Sequence, residues 1–176
     1  MSAEFELEYL VFETPLGWMV VAATSEGVSL VDFMGHVKPP RERIESLLRK
    51  EYPGAEAKPS AGPGPAQTAA THILDYLDNR KPLPGVPLDV RRGTEFEHRV
   101  WQAISAIPFG ETRSYKQIAE AAGNPAGARA AGRACGRNPV PIIIPCHRVT
   151  TAAGRLGGFS GGLDIKRALL DLEKTL

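Results

Sequence analysis

The chain has 176 residues, a net charge of +1, 43% hydrophobic and 23% charged side chains, the profile of one or two globular domains. Two cysteines, four scattered histidines and no C-x-x-C pair argue against a disulfide framework and a bound metal, so no metal and no cofactor are expected. No apolar run approaches the roughly 18 residues of a membrane span, and the opening MSAEFELEYL lacks the basic and apolar regions of a leader, so a cytoplasmic location and no membrane partner are expected.

The near-neutral total conceals an asymmetry. Residues 1–110 carry 11 basic and 15 acidic side chains, a net of −4, whereas residues 111–176 carry 10 and 5, a net of +5. Between residues 125 and 160 there are five arginines, no lysine and no acid. A one-sign field on an otherwise neutral chain points to an anionic partner.

In chain order, residues 5–13, 18–24 and 28–33 read as short strands separated by Pro15-Leu16-Gly17 and Ser25-Glu26-Gly27, both hairpin signals. Ile44, Leu47 and Leu48 mark a helix over 41–50, and Ile73, Leu74 and Leu77 mark another over 67–79. Residues 53–66, PGAEAKPSAGPGPA, have the composition of a mobile loop. Pro82, Pro84 and Pro87 punctuate a connection, giving an N-terminal domain over 1–88 and a C-terminal domain over 89–176. In the second half, Thr94 and Glu97 form a capping box that opens a helix bearing Phe96, Val100, Trp101 and Ile104. Ser114 and Gln117 form a second box, and a helix through Ala122 meets a third helix over 127–136 across Gly123-Asn124-Pro125. Two short helices joined by such a turn make a helix-turn-helix.

The third helix, GARAAGRACGRN, places Ala128, Ala131, Gly132 and Cys135 on one face and Arg129, Arg133 and Arg137 along an adjacent stripe. A smooth basic helix suits the narrow, information-poor minor groove. Residues 142–149, IIIPCHRV, carry the most information. Three β-branched residues predict a buried strand, Pro145 ends it, and Cys146 then stands where the core opens. A cysteine acts as its thiolate, and His147 is the nearest base. Neighbours on an extended strand point apart, so a bridging water is the expected route for the proton. Glu173 and Asp171, on a C-terminal helix over 164–174, are candidates to orient the histidine.

These motifs, PFGETRSY, ARAAGRACGRNPVPIIIPCHRV and GGFSGG, are similar in order and spacing to those of the O6-alkylguanine-DNA alkyltransferases, direct-reversal DNA repair proteins. The resemblance covers about residues 93–173. It implies an α+β fold: a small N-terminal antiparallel sheet with helices, RNase H-like, then a mainly helical, winged-helix-like C-terminal domain. It implies that Cys146 accepts the alkyl group once and irreversibly, with His147 as water-mediated base, Glu173 as orienting acid and Asn138 bracing the turn. Tyr115 matches the residue that contacts the flipped nucleotide and protonates guanine N3, and Arg129 the finger that fills the vacated stack. Ala128, Ala130 and Gly132 match minor-groove contacts, Val149 and Ser160 base contacts, and Pro141 and Phe159 pocket walls. Arg133 and Arg137 have no counterpart in the resemblance and read as added phosphate affinity. The implied partner is double-stranded DNA carrying O6-alkylguanine, with O4-alkylthymine a second substrate, bound through the minor groove by a monomer.

Three rival readings are weighed against this one. Alkyltransferase-like lesion-binding proteins carry another residue where this chain has Cys146. A Cys–His hydrolase gives no reason for an arginine-striped helix-turn-helix. A transcriptional regulator needs a further domain that 176 residues leave no room for.

Overall fold

Alternating apolar residues in the first third build three antiparallel strands, β1 (Glu6–Thr14), β2 (Gly17–Ala23) and β3 (Val28–Gly35). The computed structural model describes residues 5–174; residues 1–4, on which the leader reading partly rests, and residues 175–176 lie outside the described residues. At the first hairpin the Thr14 hydroxyl donates to the Gly17 carbonyl at 2.7 Å, and Gly17 takes φ +104°, a conformation that favours glycine.

Helix α1 (Arg41–Glu51) lays Ile44 and Leu48 against Leu7, Tyr9, Val20, Ala22 and Leu30. The odd-numbered side of β2, with Met19 and Val21, is left for helix α2 (Pro65–Asn79), which buries Ala69, Ala70, Ile73 and Leu77 and packs on β1 to β3. The stretch expected to be a mobile loop instead contains a strand, β4 (Glu56–Pro59), paired parallel to β1 in register Glu6↔Glu56. The sheet is therefore mixed, in order β3-β2-β1-β4. Proline and glycine hid β4 because edge strands tolerate a missing donor.

The chain divides into two compact units, one running through Arg91 and the other beginning at Arg92, three residues beyond the boundary read from the prolines. The shift has a local cause. Val28 N–H donates to Pro87 O, Asp89 N–H to Val28 O, and the Thr24 hydroxyl to Asp89 at 2.5 Å, so residues 87–91 belong to the first unit.

The second unit holds α3 (Glu95–Ser105), β5 (Arg113–Ser114), α4 (Tyr115–Ala121), α5 (Ala128–Gly136), β6 (Val149–Thr150) and α6 (Leu163–Glu173). Both expected capping boxes are complete: Thr94 with Glu97 opens α3, and Ser114 with Gln117 opens α4. The Trp101 indole N–H donates to the Ala134 carbonyl at 2.9 Å, fastening α3 to α5. Helices α4 and α5 form the expected helix-turn-helix around Gly123, at φ +80°.

The strand expected from Ile142 to Ile144 is absent. Those residues form a tight turn in which Ile144 N–H donates to Val140 O at 2.9 Å and Ile142 takes φ +72°. Pro139, Pro141 and Pro145 remove the alternate donors that a ladder would need, so the β-branched run folds back on itself. A left-handed β-branched residue is strained by roughly 1–3 kcal/mol, and this one lies four residues from Cys146.

Candidate active site

Cys146 begins a single 3₁₀ turn, Cys146–Arg148, entered through Pro145 at φ −79°, ψ 61° with Cys146 N–H donating to Ile144 O at 2.8 Å. Asn138 holds this turn. Its Oδ1 accepts from Val140 N–H at 3.0 Å, while Nδ2 donates to Ile144 O at 2.8 Å and to Cys146 Sγ at 3.1 Å. Asn138 thus braces the backbone between α5 and the thiol and also touches the sulfur itself.

Cys146 is only 4% exposed. Burial pushes its thiol up to about 11, against the Asn138 hydrogen bond and the Lys166 charge, which pull it down. At neutral pH the resting sulfur is held as the protonated thiol. A proton acceptor must therefore take part in the chemistry.

His147 is fully buried, with Nε2 2.8 Å from Glu173 Oε1. Burial holds its pKa below the ordinary value, opposed by Glu173, so the ring is neutral at physiological pH. A carboxylate only accepts, so Nε2 carries the proton and Nδ1 is the basic nitrogen. Glu173 also accepts from Arg148 Nε at 2.9 Å and from Gly110 N–H at 3.1 Å. Arg148, itself buried, donates to the Ile107 carbonyl at 2.7 Å. Of the two acids considered for the histidine, Asp171 lies exposed beside Lys174 and only Glu173 reaches it.

Arg148 and Lys166 are the groups that sequence reasoning left without a role. Lys166 is fully buried, and its Nζ donates to Val149 O at 2.6 Å and to Gly157 O at 3.3 Å, 5.9 Å from the centre of the Tyr115 ring. A signal for it existed: Lys166, Leu169, Leu170 and Glu173 follow the i, i+3, i+4, i+7 spacing of a buried helix face, so two charged residues stand where the stripe demands apolar ones.

Tyr115 opens α4 half-buried, and burial pushes its phenol up to about 12, which keeps it a donor. Gly157 leaves it room: a Cβ there would stand 2.1 Å from the Tyr115 hydroxyl. Gly132 lies against the other side of the ring, where a Cβ would sit 3.7 Å from it. Tyr115, Arg129, Gly132, Arg133, Phe159 and Ser160 line one open cleft of about 680 Å³, together with Gly136, Gly157 and Gly158. Arg129 and Arg133 are exposed on α5, with Ala128 and Ala130 half-buried between the turns. Arg137 lies elsewhere, 3.1 Å from Glu97, tied to the capping box of α3. Pro141 and Val149 are buried. Cys146, His147, Glu173 and Asn138 are buried and are not among the residues that line the cleft. Cys135 is buried on α5, its thiol pushed up to about 12 by burial.

Among the described residues no cluster of His, Cys, Asp and Glu could hold a metal ion, and no helix is long and apolar enough to cross a membrane.

Residues 95–175 match the family model of the 6-O-methylguanine DNA methyltransferase DNA-binding domain. A methylated-DNA–protein-cysteine methyltransferase of Mycobacterium tuberculosis is 45% identical over 129 residues, which cover 73% of this chain and 78% of that protein. One from Methanosarcina acetivorans is 38% identical over 165 residues, 94% of this chain and 97% of that protein. Among solved structures, the O6-methylguanine methyltransferase of M. tuberculosis superposes with a TM-score of 0.78 at 37% identity, covering 96% of this chain and 93% of that one. The same protein in complex with DNA gives a TM-score of 0.78 at 36% identity, over the same shares of the two chains.

Proposed function

Because the chain belongs to the methylated-DNA–protein-cysteine methyltransferase family, whose reaction is direct-reversal repair of DNA by alkyl transfer, we propose that Cys146 is the acceptor and that the alkyl group leaves O6 of a guanine flipped out of the minor-groove face. Two observations support this reading: Cys146 Sγ is held by Asn138 at 3.1 Å, and the next residue, buried His147, is bonded to Glu173 at 2.8 Å.

DNA is the partner of this protein. The alkylated oxygen is out of reach inside a stacked duplex, so the nucleotide turns out at a cost of a few kcal/mol. The unpaired guanidinium of Arg129, at the start of α5, enters the vacated stack and offsets part of that cost. Ala128, Ala130 and Gly132 let the helix approach the groove closely, and the remaining charge of the helix adds phosphate affinity that weakens with salt. The flipped base enters the cleft, against Phe159 and Ser160 and toward Val149 and Pro141.

The chemistry is an in-line displacement. The thiol proton passes through a water to His147 Nδ1, and the imidazolium that forms is stabilised by Glu173. The sulfur forms a bond to the alkyl carbon, the carbon–O6 bond breaks, and its electron pair moves into the purine. The Tyr115 hydroxyl donates a proton to N3 and quenches the charge of the departing base, and the proton taken up by His147 returns through water to the phenolate, so that both side chains end as they began. A resting thiol at about 11 keeps the acceptor unreactive until this relay is engaged. The product is a thioether without a good leaving group, so the protein acts once. O4-alkylthymine, which presents an equivalent oxygen, is a second substrate. The protein works as a monomer, in the cytoplasm, where an obligatory thiol stays reduced.

The test is mass spectrometry after incubation with a duplex containing O6-methylguanine. One methyl group on the Cys146 peptide supports the reading. An unmodified Cys146 with bound duplex intact indicates a lesion-binding protein, and release of product without a modified cysteine indicates a hydrolase.

A further inference from the structure

The cleft that receives the base carries two guanidiniums and no acid. Arg129 and Arg133 stand one turn apart on α5, both exposed, and among the described residues neither has an ion-pair or hydrogen-bond partner. Arg113, Arg137 and Arg148, in the same unit, each have a carboxylate within 3.1 Å. The rest of the lining is Tyr115, Phe159, Ser160 and glycines, so no acidic side chain in the cleft answers the two arginines.

Arg129 has a use in filling the stack. One guanidinium suffices for one vacated position, and Arg133, which adds phosphate affinity on the duplex, also stands on the cleft wall. At Gly136 and Gly158 an added Cβ would meet nothing within 4 Å, so the cleft is open along these positions.

We propose that Arg133 is a specificity residue that favours O6 adducts ending in an anionic group, a carboxylate carried by the alkyl chain, over neutral adducts of the same size. The inference rests on the reading of Cys146 as alkyl acceptor. The adduct enters with its reactive carbon toward the sulfur and its carboxylate toward the guanidinium, which offers paired N–H donors in a planar fork. In the transfer, the sulfur–carbon bond forms, the carbon–O6 bond breaks with its electron pair left on the purine, and the carboxylate is carried unchanged onto Cys146. The same cationic chemistry could instead engage a DNA phosphate, so the experiment removes the phosphates.

Rates of Cys146 alkylation are measured by mass spectrometry with two free bases, O6-(4-carboxybenzyl)guanine and O6-benzylguanine, at low and high salt. The expected result is that Arg133→Ala lowers the ratio of the carboxylate rate to the neutral rate roughly fivefold, the scale of a partly exposed ion pair, and that salt shrinks the ratio in the parent chain. Arg133→Glu is expected to lower it further and to favour O6-(4-aminomethylbenzyl)guanine, which keeps the result readable if the alanine variant folds poorly. An unchanged ratio overturns the proposal, and if duplex binding weakens at the same time Arg133 belongs to a phosphate. In either of those cases the neutral base still alkylates Cys146; no transfer from any base overturns the parent reading instead.

Discussion

Replacing Glu173 by glutamine separates two roles that one carboxylate performs. Glu173 orients His147 and is also the counter-charge of buried Arg148, whose Nε and terminal nitrogen lie at 2.9 Å from it. Glutamine keeps the shape but removes the charge, and turns an NH₂ donor toward groups that are themselves donors. Arg148 is then a buried cation left with the Ile107 carbonyl. Removing one partner of a buried pair costs about 3–5 kcal/mol, which for a chain of this size lowers the melting temperature by about 6–20 °C. Transfer slows by about 10²-fold or more, because His147 loses the group that fixes its tautomer. The double variant Glu173→Gln, Arg148→Met removes the stranded charge, so most of the stability returns while the slow transfer remains. Thermal unfolding and single-turnover quench kinetics read the two quantities separately. If the double variant recovers rate along with stability, Glu173 acts through folding alone and the relay is wrong. If the single variant unfolds within about 1 kcal/mol of the parent chain, the buried ion pair is not what holds this corner.

Further outcomes follow from the same geometry. Burial lowers the pKa of His147, so protonation of the base, and with it the acid limb of the transfer rate, falls below the ordinary 6.5 of histidine; a rate that instead rises tenfold per pH unit toward 11 would mean that the free thiolate reacts without a base. Gly157→Ala puts a methyl 2.1 Å from the Tyr115 hydroxyl and should slow duplex repair by roughly 10²-fold, the scale of a displacement of about 1 Å. Part of that loss should remain in a Tyr115→Phe background, where the ring carbons still stand 2.7 Å from the added methyl, and full recovery there would locate the strain at the hydroxyl alone. Arg129→Ala should slow repair of a duplex much more than alkylation by free O6-benzylguanine, since the free base skips flipping; equal losses would make Arg129 structural. Titration against excess O6-methylguanine duplex should plateau at one equivalent, with Cys146→Ser inactive yet still binding DNA and Cys135→Ser unchanged in stoichiometry, whereas turnover over hours would refute the thioether product.

Local chemistry made much of this protein legible in its sequence. Both capping boxes, the three hairpin strands, the helix-turn-helix and the PCHRV motif around Cys146 are each written in residues close together in the chain, because caps, turns and amphipathic periods act over three or four positions. Tertiary structure decided the rest. Strand β4 exists because β1 offers it a parallel edge, which no reading of PGAEAKPSAGPGPA could reveal. The isoleucines before Cys146 have the side chains of a strand, yet three prolines and the Asn138 amide fold them into a turn, and that turn sets the thiol on Asn138. Glu173 prevails over Asp171 because α6 buries one face and exposes the other, and Arg148 and Lys166 gain their roles only when partners at Ile107, Val149, Gly157 and Glu173 converge on them. Sequence fixes which groups can react; the pairing of buried charges across distant segments depends on burial, and burial is a property of the assembled fold.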